Sequence, residues 1–237
     1  MATQKRTTRK AKTADPIIED LPLQRKINKA PLEPRTEKQR HYISTINRCD
    51  IIFGTGEAGS GKTYVATSMA CDALVSKSID KIIITRPACE AGESLGFLPG
   101  ELEAKFEPYL RPLQDIFEER LGKSFYKLLL KSGRIEAMPI AYLRGVTFDN
   151  AWVLVDESQN ITPKQMQMLL TRIGENTKMI LSGDIEQSDI KGKSGLEDAL
   201  YTIGDLPGVG HVDFDVDDVV RSGMCRAICR AYAGRET

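Results

Sequence analysis

At 237 residues, 41% hydrophobic and 28% charged, the chain has material for one full-sized folded domain and a short extension, and a second large domain is not expected. Lys plus Arg equals Asp plus Glu, giving a formal net charge of zero, so overall charge selects no partner and only its distribution can. No apolar run is long enough to cross a bilayer and the N-terminus lacks a signal-peptide core, which excludes a membrane-spanning reading. Five cysteines, Cys49, Cys71, Cys89, Cys225 and Cys229, are an odd number at irregular spacing. They make a poor disulfide framework and point to a reducing, cytoplasmic setting. Cys225 and Cys229 stand one helical turn apart without a second ligand pair, so they read as small helix residues and not as a zinc site.

Residues 1–33 begin with Lys5, Arg6, Arg9, Lys10 and Lys12 ahead of the first acid, Asp15, and continue through Pro16, Pro22 and Pro31. With few apolar residues to bury, this stretch is expected to be a basic, disordered arm, adding loose electrostatic affinity for a polyanion or serving only as a solubility tail. The folded domain is expected over 34–237. There, short β-branched runs at Asp50–Thr55, Lys81–Thr85, Ile135–Met138, Trp152–Val155, Met179–Ser182 and His211–Phe214 alternate with helical stretches at Lys62–Ser76, Ile116–Lys131, Pro163–Thr171 and Gly195–Ile203. Uniformly apolar strands suit a sheet covered on both faces. The alternation predicts an α/β domain with a doubly wound, mostly parallel sheet.

The strongest local signal is Gly56-Glu57-Ala58-Gly59-Ser60-Gly61-Lys62-Thr63, which matches G-x-x-x-x-G-K-[ST] between a strand and a helix, as a phosphate loop requires. Its glycines let backbone N–H groups converge on phosphate oxygens, and the following helix adds its positive end. Lys62 is then expected on the β- and γ-phosphates of ATP, with the Thr63 hydroxyl on Mg²⁺. The strand Trp152–Val155 ends in Asp156-Glu157. In a parallel sheet this places two acids beside the phosphate loop, Asp156 to hold Mg²⁺ and Glu157 to polarise the attacking water. A water-directing acid favours hydrolysis over phosphoryl transfer to a small molecule.

The strand Met179–Ser182 runs into Gly183-Asp184-Ile-Glu-Gln187, similar to the third motif of superfamily-one helicases, whose glutamine reads the γ-phosphate. Gln39, ahead of the first strand, resembles their adenine-reading glutamine, or is simply solvated. A longer resemblance, over roughly 34–232, is to the PhoH-like ATPases. It rests on Thr85-Arg-Pro87, Ala91-Gly-Glu-Ser-Leu-Gly-Phe-Leu-Pro-Gly100, Pro108-Tyr-Leu-Arg-Pro112, Ala141-Tyr-Leu-Arg-Gly145, Asp156-Glu-Ser-Gln-Asn160, Gln165-Met-Gln-Met168, Thr171-Arg172, Lys193-Ser-Gly-Leu196 and Asp218-Val-Val-Arg221. The resemblance implies a RecA-like P-loop NTPase core, Mg-dependent ATP hydrolysis, a homo-oligomeric ring of six subunits, and work on single-stranded RNA or DNA, including helicase action. Where the family usually has a second arginine and a histidine, this chain has Val146 and Ser222.

An arginine that neutralises transition-state charge is expected, supplied by a neighbouring subunit; Arg221 is the first candidate and Arg172 the second, either being otherwise a surface ion-pair residue. Arg86 and Arg144 resemble helicase positions facing nucleic acid, where contacts to backbone phosphates are sequence-independent and salt-sensitive. Phe97, Tyr109 and Tyr142 are candidate base-stacking residues, with core packing the favoured reading of Tyr142. Two other classes remain in play: a nucleotide-gated assembly protein and a P-loop kinase for a small molecule.

Overall fold

Every strand of the sheet sends alternate side chains to opposite faces, and here both faces are apolar and both are covered. The computed structural model describes residues 27, 28, 30–87 and 102–233. Helix α1 (Glu37–Arg48) leads into β1 (Ile51–Gly56), α2 (Lys62–Val75), β2 (Lys81–Thr85), α3 (Leu102–Leu121), α4 (Lys123–Lys131) and β3 (Ile135–Ala137). Then come β4 (Ala151–Val155), α5 (Pro163–Leu170), β5 (Lys178–Ser182), α6 (Gly195–Ile203), β6 (Val209–Phe214) and α7 (Gly223–Ala233). The six strands lie in the order β3-β2-β4-β5-β1-β6, and every pairing is parallel. On one face Ile52, Ile82, Ile84, Leu154 and Ile180 pack against α1 to α4 through Tyr42, Val65, Phe117 and Leu129. On the other, Phe53, Ile83, Val153, Val155 and Leu181 meet Met166, Leu169 and Leu196 of α5 and α6. This is the expected doubly wound α/β arrangement, and it is RecA-like: β5 stands between the phosphate-loop strand β1 and the acidic strand β4.

Four features differ from the expectation, the first being that α3 begins at Leu102 and not at Ile116. The helix read over Ile116–Lys131 is two, because Gly122 takes φ 77° and breaks the chain between α3 and α4; Phe117 still stacks on Tyr126 across the break, centroids 5.2 Å apart. Helix α1 was not expected from its mixed composition. Its start is fixed by the Thr36 side chain accepting from Gln39 N, an N-cap that satisfies one orphan donor. The folded body also begins before residue 34. Ile27 and Leu32 pack on the core, Asn28 N donates to the Arg120 carbonyl at 2.9 Å, and Arg120 Nη1 donates to the Ala30 carbonyl at 2.9 Å. Residues 1–26, with the basic cluster, and the Ala91–Gly100 string lie outside the described residues, as do Cys89 and Phe97.

Arg120 is buried, and its Nη2 is 2.6 Å from Asp72 Oδ1 on α2, so one guanidinium ties α3 to α2 and to the incoming strap. Because Asp72 is half exposed, removing this tie costs less than breaking a fully buried pair. Arg120→Ala is expected to lower stability by about 1–3 kcal/mol and to speed amide exchange at Asn28; exchange unchanged at Asn28 would show that the strap is held by its apolar contacts alone.

Candidate nucleotide site

A parallel sheet collects the C-terminal ends of its strands along one edge, and the predicted phosphate and metal residues all come from that edge. β1 finishes at Gly56 with φ 92°, where a Cβ would stand 1.9 Å from the Phe214 carbonyl oxygen; only glycine fits between the two strands. Glu57 N donates to that same carbonyl at 3.1 Å. The loop then enters α2 through Gly61, whose left-handed conformation (φ 86°) lets Lys62 open the helix.

Lys62 is buried, and its Nζ donates to the carbonyls of Gly56 at 2.6 Å and Glu57 at 2.7 Å and to Ser60 Oγ at 3.2 Å. Burial pushes its pKa down, and the charges of Asp184, Asp156, Glu57 and Glu157 oppose the shift. The ammonium thus occupies the cup that a phosphate oxygen would share. Thr63 Oγ1 donates to Asp156 Oδ1 at 3.3 Å, although β4 is one strand removed from β1 and not adjacent to it. The Asp156 carboxyl is pushed up by burial and then by Glu157, and drawn back by Arg86 and the Thr63 hydroxyl. A hydroxyl and a desolvated carboxylate are hard oxygen donors. They fit Mg²⁺, which takes one or two protein oxygens and fills the rest of its shell with phosphate and water. Among the described residues no group of three or more His, Cys, Asp or Glu offers a fuller cage.

Glu157 has left-handed backbone (φ 51°, ψ 40°), a conformation that a non-glycine residue keeps only when its surroundings hold it. Its Oε1 lies 3.5 Å from Arg86 Nη2, and its Oε2 accepts from Gln159 Nε2 at 2.7 Å. Gln159 was not singled out from the sequence, yet its buried amide joins two motifs: Nε2 holds Glu157 while Oε1 accepts from Asp184 N at 3.2 Å. Ser158 Oγ donates to the Ser182 carbonyl, and Ser188 and Ser194 hydroxyls donate to the Gln159 carbonyl. The Asp156–Asn160 segment is thereby stitched to the loop after β5. In that loop the acid facing Lys62 is Asp184, while Gln187 is exposed and donates from Nε2 to Asp184 Oδ2 at 2.8 Å.

The other predicted residues separate. Gln39 is buried with Nε2 donating to the Ser60 carbonyl and Oε1 accepting from Arg35 N, each at 2.8 Å; it braces the phosphate loop here, and its amide has a second hydrogen and a second lone pair beyond these two bonds. Arg221 lies over its own chain's loop: a Cβ on Gly59 would be 2.8 Å from its Cδ and Nε, and Val220 N donates to the Gly59 carbonyl at 3.1 Å. Arg172 is at the opposite edge of the sheet, its carbonyl accepting from Phe148 N just before β4 begins, and it cannot reach Asp156 of its own chain. Arg86 belongs to the acid cluster. Arg144 is exposed in the crossover between β3 and β4, next to Tyr142, which is 56% exposed and not the packing residue favoured by the sequence. The Tyr109 side chain is outside the described set.

The family described as PhoH-like protein matches residues 31–233. The chain belongs to the PhoH-like family. It is 47% identical over 208 residues to Protein PhoH of Escherichia coli (strain K12), covering 86% of this chain and 59% of that protein. It is 49% identical over 200 residues to a PhoH-like protein of Bacillus subtilis (strain 168), covering 84% and 63%. The chain thus spans about three fifths of the length of these relatives. The Pif1 helicase from Candida albicans aligns over 78% of this chain and 40% of its own at 13% identity, with a TM-score of 0.40. What this PhoH-like chain carries is a P-loop core, with the phosphate loop at Gly56–Thr63. Its two departures from the family pattern have structural employment: Val146 packs on the core under α5 and α6, and the Ser222 hydroxyl accepts from Cys225 N at the start of α7.

The desolvated Asp156 carboxylate is uncomfortable without a cation. Its proton affinity is raised in the folded chain, so the folded state binds more protons than the unfolded one above the ordinary carboxylate range, and ligand-free stability falls as pH rises through that window. Asp156→Asn is expected to raise the melting temperature of the ligand-free protein at pH 7 and to flatten this pH dependence; a variant that melts lower would assign Asp156 a structural role instead.

Proposed function

We infer that the chain is a Mg-dependent ATP hydrolase, stimulated by single-stranded RNA or DNA, acting in the cytoplasm as a homo-oligomeric ring of six subunits after the pattern of its family. The observation that carries the ATPase reading is the convergence of Lys62, Thr63, Asp156 and Glu157 on one edge of the sheet. Lys62 Nζ exchanges its loop carbonyls for the β- and γ-phosphate oxygens. Thr63 and Asp156 hold Mg²⁺, which when bound neutralises charge on the transferring phosphoryl group. Glu157 accepts the proton of the attacking water, and Arg221, already over the loop, neutralises charge developing at the γ-phosphate. Its contact with Gly59 supports action on its own subunit's nucleotide, against the neighbour expected from the sequence. Arg172, at the far edge, is open only to a neighbour.

Arg86 and Arg144 supply the nucleic-acid contacts in this reading, with Tyr142 available to stack on a base. Helicase action belongs to the same reading and rests on family resemblance. One observation favours nucleotide-gated assembly as the second reading: Met224 and Ile228, one turn apart on α7 shortly after Arg221 in sequence, are 70% and 50% exposed.

Phosphate release measured with and without single-stranded RNA tests the choice. Stimulation is expected; steady release indifferent to any nucleic acid supports the assembly reading, and no release in water supports a kinase. Lys62→Ala is expected to weaken nucleotide binding by about 10–100-fold, and unchanged affinity removes the lysine from the site. Arg221→Ala is expected to spare binding and slow hydrolysis by about 10³-fold or more. Mixing it with Glu157→Gln subunits restores turnover only if the arginine acts across an interface, and a placement within one chain predicts no recovery.

A further inference from the structure

Arg86 directly follows β2, and the backbone bond from Asp156 N to the Thr85 carbonyl, 3.0 Å, brings its side chain to the two acids. The cation paired with Glu157 is thus the arginine assigned above to nucleic-acid contact. Both Glu157 oxygens are engaged by protein donors, Oε1 by Arg86 and Oε2 by Gln159, and the backbone beneath them is in the left-handed region. The two ends of the pair differ from a buried structural bridge, with side chains 27% and 41% exposed at 3.5 Å. Such a pair is worth little and is opened easily. A phosphate arriving at the Arg86 guanidinium meets a planar fork suited to two-pronged recognition, and it also meets the repulsion of Glu157 unless that carboxylate withdraws.

We propose that Arg86 is a positioning residue that latches Glu157 away from the attacking water, and that a backbone phosphate of single-stranded nucleic acid releases the latch by taking the guanidinium. This rests on the proposed function and names how the nucleic acid regulates that same site. The coupling is reciprocal by linkage: whatever nucleic acid gains by freeing Glu157, removal of the Glu157 charge must return as tighter binding of nucleic acid. The released carboxylate is free to turn to the water, while Gln159 keeps its backbone registered to Asp184.

The test uses the full chain without nucleotide and a fluorescently labelled oligouridylate, read by anisotropy. Glu157→Gln is expected to tighten binding by about two- to fivefold, the range that an exposed ion pair can return, and Arg86→Gln to weaken it and to flatten its salt dependence. The Arg86→Gln/Glu157→Gln double variant is expected to match Arg86→Gln alone, because the gain requires the arginine. Glu186→Gln, removing an equal charge from the exposed turn Ile185–Gln187, controls for general repulsion. A gain from Glu157→Gln no larger than that from Glu186→Gln, or one that persists without Arg86, overturns the latch while leaving RNA binding intact. Failure of the wild-type chain and all variants to bind overturns the nucleic-acid reading and the latch together. In turnover, Arg86→Gln is expected to raise RNA-free kcat toward the stimulated value at unchanged KM for ATP, and Arg86→Lys to restore part of the repression. A fall in RNA-free kcat would make Arg86 a transition-state arginine and contradict the latch.

Discussion

A lysine charge taken out of water must be answered by something, and in this chain the answer to Lys62 organises the whole active edge. Its ammonium is held by three oxygens of its own loop and by the field of four acids, Asp184, Asp156, Glu57 and Glu157, drawn from the ends of β4 and β5 and from the loop itself. The glycines exist to make that cup: Gly56 passes under Phe214 where any side chain would collide, and Gly61 turns the chain so that Lys62 begins a helix.

The acids around the cup are crowded in the same sense. Asp156 is pushed up by burial and by Glu157, and the local cations, Lys62 and Arg86, are shared among more than two carboxylates. The Arg86–Glu157 contact, 3.5 Å long and partly exposed, answers only part of this crowding. Strain in the Glu157 backbone and the single amide of Gln159 bridging Glu157 to Asp184 place the stored tension next to the residues that do the chemistry.

The order of strands and helices was readable because β-branched runs such as Lys81–Thr85 and Ala151–Val155 are short, apolar and bounded by turn residues, and the phosphate loop because its spacing is rigidly tied to its chemistry. Helix α1 escaped notice: its solvent side is charged and its core contribution rests on Tyr42 and Ile46. The capping pattern Thr36-x-x-Gln39 was the available signal. The split at Gly122 depends on one backbone angle, which a glycine permits and does not dictate. The placement of Arg221 over Gly59, and the work of Gln159, depend on contacts between segments more than 20 residues apart in sequence. Residue spacing carries no information about those, so the contact of Arg221 with the loop at Gly59 could not be read from the sequence. Arg172 illustrates the converse: it follows α5 and so returns to the N-terminal edge, a consequence of parallel topology that its sequence context hides.

If the phosphate loop and the acid-bearing strand end serve one nucleotide, magnesium and nucleotide must bind together. Calorimetric titration of a non-hydrolysable ATP analogue into the wild-type chain and into Asp156→Asn, each with magnesium and with chelator, measures that directly. Magnesium is expected to tighten binding to the wild type by about tenfold or more and to lose that effect in Asp156→Asn. An equal magnesium gain in both proteins would mean that the two motifs do not share a ligand.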